Sequence, residues 1–183
     1  MNQIPEIVRK TVLYIAMSLD GYIAKPNDDL SFLSIVEVEG EDYGYYNFEK
    51  TVDTIIMGRK TYDWLMTQVD EFPHLDKTSY IITRTARSSN HKNLIFYNND
   101  LIDLIHQLSK EQGRTIFIDG GAQIVNSLLE AELIDEMIIS VIPIILGCGT
   151  RLFQEVYPEQ KLQLIKSEAF KSGLVQLHYS TVI

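Results

Sequence analysis

Thr54-Ile55-Ile56-Met57-Gly58-Arg59-Lys60-Thr61-Tyr62 is the stretch on which the fold turns. Ile55 to Met57 is a short continuous apolar run, the pattern of a strand buried on both faces of a parallel sheet. Gly58 follows, a residue that lets backbone pass close to a ligand or take positive φ. Then come two cations and a hydroxyl, Arg59, Lys60 and Thr61, and a helical pattern carried by Tyr62, Leu65 and Met66. A helix N-terminus presents free N–H groups and the positive end of its dipole. Cations and a hydroxyl placed there suit a phosphate better than a carboxylate. The alternative is an ordinary βα turn with surface cations.

The same design recurs on either side. Ser79 to Thr83 is another buried-type strand, ending in Thr83-Arg84-Thr85 with Arg87 beyond. Thr115 to Asp119 is a third, and Gly120-Gly121 then opens a helix over Ala122 to Ala131. A glycine pair between a buried strand and a helix permits close approach to a pyrophosphate. Neither this pair nor Gly147-Cys148-Gly149 completes a Gly-x-Gly-x-x-Gly fingerprint. Upstream, Thr11 to Met17 reads as a central strand, followed by Ser18-Leu19-Asp20-Gly21 with its Asp-Gly turn signal. A carboxylate just past the carboxyl end of a central strand lies where α/β sheets bind ligands; it is also what an ordinary capped turn would show.

The remaining segments fill in the architecture. Pro26 to Gly40 is an acidic surface loop with short helical pieces, and Glu41 to Thr51 is expected to be a helix with Tyr45, Phe48 and Val52 on one face and Asp42, Tyr46 and Glu49 on another. Leu94 to Tyr97 is a short strand. Asp100 to Gln112 is an amphipathic helix capped by Asn99 or Asp100 and stopped by Gly113. Ile134 to Ile142 is a strand, and Leu162 to Phe170 and Leu174 to Val182 form a hairpin around Lys171-Ser172-Gly173. Leu174 and Val182 fall on one face of the last strand, Val175, Leu177, Tyr179 and Ile183 on the other, so both faces need cover and a homodimer is expected. Residues 1–10 read as a flexible leader and 11–183 as one domain.

Composition narrows the partners. With 183 residues, 45% of them apolar, the chain can bury a full core. A net charge of −9 disfavours nucleic acid as the main partner but leaves room for an anionic small molecule held by a few local cations. One cysteine, Cys148, and four histidines without a His-x-x-x-His pair offer no metal site. Met1 to Lys10 lacks the pattern of a secretory signal, and Val141 to Leu146 is too short to cross a bilayer. No membrane partner is expected, and the default address is the cytoplasm.

Four stretches, in this order, resemble the dihydrofolate reductase superfamily, and within it the branch of the riboflavin-biosynthesis reductase domain. They are Ser18-Leu19-Asp20-Gly21-Tyr22-Ile23-Ala24, Met57-Gly58-Arg59-Lys60-Thr61-Tyr62, Asp119-Gly120-Gly121, and Leu133-Ile134-Asp135-Glu136 followed by Pro143 to Phe153. The resemblance implies a three-layer α/β fold: a mostly parallel twisted sheet with helices on both faces and an antiparallel C-terminal hairpin. It implies NADPH across the strand ends. Gly58, Arg59, Lys60 and Thr61 would hold its phosphates, and Thr83 and Arg84 would meet the adenosine 2′-phosphate. Gly120, Gly121, Ala122 and Gln123 would meet the pyrophosphate, and Ala16 and the Asp20-Gly21 turn would line the nicotinamide side. The implied activity is NADPH-dependent reduction of a small heterocyclic or carbonyl-type substrate, of the 5-amino-6-(5-phosphoribosylamino)uracil reductase type. Counted back from Gly58, Asp42 and Tyr46 fall where dihydrofolate reductases keep a pterin-binding carboxylate and an aromatic. Asp42 and Asp20 are thus candidates to orient substrate or relay a proton, with Asp119 a third substrate-side carboxylate. The alternatives are a true dihydrofolate reductase and a non-catalytic nucleotide-binding protein on the same scaffold.

Overall fold

The computed structural model describes residues 9–154 and 158–182. Its frame is an eight-stranded sheet in the order β5-β4-β3-β6-β1-β7-β10-β9. These strands are β1 (Thr11–Ser18), β3 (Val52–Gly58), β4 (Thr78–Ile82), β5 (Leu94–Tyr97), β6 (Thr115–Gly120), β7 (Glu136–Ile142), β9 (Leu162–Ala169) and β10 (Val175–Thr181). The ladders from β5 across to β7 are all parallel, while β10 runs antiparallel to both β7 and β9. A separate pair joins β2 (Tyr22–Ala24) to β8 (Thr150–Arg151). Gly149 enters that pair so closely that a Cβ there would collide with the Ala24 carbonyl oxygen.

The continuous apolar runs are explained by cover on both faces. In β3, Ile56 packs with Leu13, Ile116 and Ile118 against α3 (Leu101–Lys110) and α4 (Ala122–Glu130). Its neighbours Ile55 and Met57 point the other way, to Phe72, Ile81 and Phe117, under Tyr62, Leu65 and Met66 of α2 (Arg59–Gln68) and under Tyr45 and Phe48 of α1 (Tyr45–Glu49). The fold is therefore the three-layer arrangement expected. Asp100 caps α3 by accepting the Ile102 and Asp103 amides at 2.8 and 3.0 Å, worth about 1 kcal/mol. The hairpin turn is also as expected, with the Gly173 amide donating to Phe170 O at 3.0 Å and φ +88° at Gly173.

Two expectations need correcting. Arg9 belongs to the core and not to a loose leader: it is 5% exposed and lies just before β1, while residues 1–8 fall outside the described part. The helix expected over Glu41 to Thr51 shrinks to Tyr45–Glu49. Tyr43 and Gly44 take positive φ, +54° and +82°, which no helix accommodates. Val52, assigned by pattern to the helix face, opens β3 instead.

Candidate active site

Because β1, β3, β4 and β6 are parallel, their carboxyl ends share one edge of the sheet. There the two glycine junctions meet. A Cβ on Gly58 would stand 3.6 Å from Gly120 O, and the Gly121 amide donates to Thr61 Oγ1 at 3.2 Å. Gly120 has φ +112°, and a Cβ on it would press Ile15 at 3.2 Å. The N-termini of α2 and α4 thus lie side by side, and neither has a side-chain cap. Their orphan N–H groups are the means by which such termini hold phosphate oxygens. Gln123 is exposed on the first turn of α4, behind Ala122.

The cations nearby are differently engaged. Arg59 pairs with Asp63 one turn on, and Arg87 reaches the same carboxylate at 3.3 Å. Lys60 stands 3.4 Å from Asp28. Arg84 is exposed and enters no ion pair among the described residues. Beside it Thr83 is 8% exposed, its hydroxyl oxygen accepting the Thr85 amide at 3.2 Å.

A cavity of about 630 Å³ opens over β1 and β7. Tyr14 and Ala16 of β1 and Ser140 and Ile142 of β7 form its floor; Tyr43 and Tyr45 form a wall. Gln176 organises this floor, its amide lying 2.9 Å from Tyr14 OH and 3.2 Å from Ser140 Oγ. Tyr14 OH itself donates to the Tyr43 carbonyl at 2.9 Å. The same carbonyl, on a residue at φ +54°, also accepts the Gln176 amide at 3.1 Å. Tyr14, Tyr43, Tyr45, Ser140 and Gln176 were not singled out as site residues from the sequence; the polar Tyr14 and Ser140 inside apolar strand runs were the available signal.

The candidate carboxylates separate sharply. Asp20 accepts the Ser18 hydroxyl at 2.6 Å and the amides of Leu146 and Gly147 at 3.0 and 2.7 Å. These bonds, the Ser18 one foremost, hold its pKa down at about 2. Asp20 is thereby a clamp between the β1–β2 turn and the Pro143–Gly149 loop. Gly21, in the same turn, has φ +85°. Asp42 lies on the cavity lining and accepts the amides of Tyr46 and Gly44 at 2.9 and 3.1 Å, which lower its pKa. Tyr46 is corrected outright: it is 64% exposed and off the lining, because the turn at Tyr43-Gly44 rotates it to solvent.

Asp119 is different. Leu13 lies opposite Ile118 in the β1–β6 ladder and both pack on the α3–α4 side, so Tyr14 and Asp119 face the other side, that of the cavity. The residue keeps some exposed surface, yet its carboxyl lies deep among protein atoms, and burial alone pushes its pKa up to about 6. Its field in turn helps burial to raise the Tyr45 phenol.

Sheet order, edge and cavity define a dihydrofolate reductase-like fold. Dihydrofolate reductase from Enterococcus faecalis, solved with NADP(H), superposes at TM-score 0.65 over 95% of this chain and 97% of that one, at 14% identity. The chain belongs to the RibD C-terminal domain family, whose model matches residues 9–176. It is 44% identical to the uncharacterized protein YwjB of Bacillus subtilis (strain 168), over 93% of this chain and 97% of that one. A candidate riboflavin biosynthesis protein from Shewanella sp. PV-4 superposes at TM-score 0.85 with 30% identity, covering 95% of this chain and 99% of its own.

Proposed function

We propose that this chain is an NADPH-dependent reductase of a small heterocyclic or carbonyl-type substrate, of the riboflavin-pathway reductase type. The observation that carries this reading is the joined pair of uncapped helix N-termini at Gly58–Thr61 and Gly120–Gln123, on the same sheet as a cavity of about 630 Å³. The glycine cradle fits a pyrophosphate: Gly120 holds φ +112°, and a Cβ there would press Ile15 at 3.2 Å, while Gly58 and Gly121 keep the two helix N-termini open. Gly58, Arg59, Lys60, Thr61, Gly120, Gly121, Ala122 and Gln123 would hold the phosphates, and Ala16 and Gly21 would flank the nicotinamide. When bound, the cofactor supplies a hydride. Asp119, whose pKa is pushed up to about 6, would supply a proton to the reduced ring on the acid side of neutrality, while Asp42 accepts a donor of the substrate.

The test is absorbance loss of NADPH with a panel that includes dihydrofolate and 5-amino-6-(5-phosphoribosylamino)uracil, with calorimetric titration of NADPH alongside. Failure to bind NADPH would sink the reading. Thr83 and Arg84 are the proposed readers of the 2′-phosphate. Arg84→Ala should weaken NADPH by about ten- to a hundredfold, the loss of a charge-assisted hydrogen bond, with little change for NADH. Arg59→Ala should discriminate less, since its guanidinium is already engaged by Asp63. Equal losses for both cofactors in both variants would show that neither arginine reads the phosphate.

A homodimer is part of the same reading. All eight residues of the edge strand β9 are exposed. Leu162, Leu164 and Ile165 are 43%, 51% and 51% exposed, an edge that pairing would cover. Ile183 lies outside the described residues. A sedimentation mass near 21.0 kDa at micromolar concentration would rule the dimer out.

A further inference from the structure

We propose that Ser140 is a specificity-determining donor of the cavity, giving its hydroxyl hydrogen to a carbonyl of a flat ring, and that Gln176 is the positioning residue that keeps it aimed there. Ser140 lies opposite Ala16 in the β1–β7 ladder and opposite Gln176 in the β7–β10 ladder. Residues opposite one another share a face of the sheet, and Ala16, Ser140 and Ile142 all line the cavity. Ser140 is 5% exposed. Gln176 is not on the lining; it reaches the floor from the neighbouring strand.

The chemistry of the partners fixes where each hydrogen goes. The Gln176 amide nitrogen lies 3.1 Å from the Tyr43 carbonyl oxygen. Two carbonyl oxygens repel at such a distance, so the amide must present its NH2 end, which only donates. The same nitrogen is 2.9 Å from Tyr14 OH and 3.2 Å from Ser140 Oγ, and both hydroxyl oxygens therefore act as acceptors toward it. Tyr14 stays a phenol, its pKa raised chiefly by burial, and sends its own hydrogen to the Tyr43 carbonyl. Tyr43 sends its phenol hydrogen to the Val36 carbonyl. The Ser140 hydrogen is left over: no acceptor receives it among the described residues. Tyr45, at the wall, is only half-buried, so water can serve its hydroxyl. A donor buried as deeply as Ser140 is costly to leave unpaired. A carbonyl oxygen entering the cavity would receive it, whereas an amino group would bring one more donor. Tyr14 and Tyr45 offer aromatic surface to the same ring.

The proposal rests on the reductase reading for its reaction, not for its binding, and the test separates the two. The probes are 5,6-diaminouracil, which carries ring carbonyls, and 2,4,5,6-tetraaminopyrimidine, which has amino groups in their place. Each is titrated calorimetrically against the full chain, with NADPH titrated separately. Ser140→Ala should weaken 5,6-diaminouracil by about three- to tenfold, the worth of one neutral hydrogen bond, and leave tetraaminopyrimidine unchanged. Gln176→Glu at about pH 8 puts a carboxylate, which only accepts, where the amide donated. Ser140 then turns its hydrogen to that carboxylate, and 5,6-diaminouracil should again be the probe that loses affinity. A merely structural role for Gln176 would weaken both probes alike. Equal losses for both probes, wild-type affinity for 5,6-diaminouracil in Ser140→Ala, or binding of neither probe by the wild type would overturn the proposal. Loss confined to 5,6-diaminouracil in a chain that binds no NADPH would leave it standing and sink the reductase reading instead.

Discussion

Asp119→Asn should lower turnover by about a hundredfold or more, the usual contribution of a positioned proton donor, while NADPH affinity stays unchanged. The wild-type rate should fall as pH rises through about 6, because that is where the carboxyl loses its proton. The same substitution should stabilise the fold at neutral pH. Folding raises this group's pKa from 3.8 to about 6. Below the lower value folded and unfolded chains both hold the proton; between the two only the folded chain does; above both, folding confines a bare carboxylate. Stability from this group is therefore full at low pH and lost as pH rises through about 6. The loss is at most roughly 3 kcal/mol, less wherever water reaches the oxygen. Urea midpoints and kcat across the pH range for both proteins check the two halves. An unaltered rate in Asp119→Asn, or a variant less stable than wild type at neutral pH, would remove Asp119 from the mechanism.

Arg9→Ala should destabilise the fold by about 1.5–3 kcal/mol, the worth of a hydrogen bond to a charged group, since Asp53 keeps 30% of its side chain exposed and water can reach it. The guanidinium is almost fully buried and donates to Arg114 O at 3.0 Å, to Thr54 Oγ1 at 2.7 Å and to the Asp53 carboxylate. Asp53 also accepts the Arg114 amide at 2.6 Å, so removing Arg9 strands a carboxylate tied to two chain segments. Gly113 is part of the assembly: a Cβ there would come within 2.6 Å of the guanidinium. The readout is a lower urea midpoint at unchanged slope. A shift within about 0.5 kcal/mol would mean the pair contributes nothing beyond surface charge.

How far the sequence could be read follows from the range of the interactions. Ile55 to Met57 and Thr115 to Ile118 were legible because a parallel strand covered on both faces must be apolar at consecutive positions. Gly58 and the Gly120-Gly121 pair were legible as strand-to-helix junctions, and Gly120 holds a positive φ that side chains rarely adopt. Arg9 was not, since its partners Asp53, Leu108 and Arg114 lie far along the chain. The clamp made by Asp20 was not legible either, because only the fold brings Leu146 and Gly147 to it. For Tyr46, the count back from Gly58 misled: the left-handed backbone at Tyr43 sets the helix start, and Tyr43 and Tyr45 line the cavity instead. Asp119 was named, but its distinction from Asp42 is a matter of burial that no local pattern carries.

Strand order also sets what happens while the chain is being made. β1 emerges first, yet its neighbours are β6 and β7. About a hundred residues separate the end of β1 at Ser18 from the start of β6 at Thr115. At 5–20 residues per second, a nascent β1 waits on the order of 5 to 20 s for its first partner. Strands β3, β4 and β5 pair in the order they are translated, so one wing can assemble while the centre of the sheet is still missing. Through that interval Val12, Leu13, Ile15 and Met17 have no sheet to enter. A ribosome stalled after β5 should hold a chain that binds chaperones through its first strand and releases them only when β6 arrives.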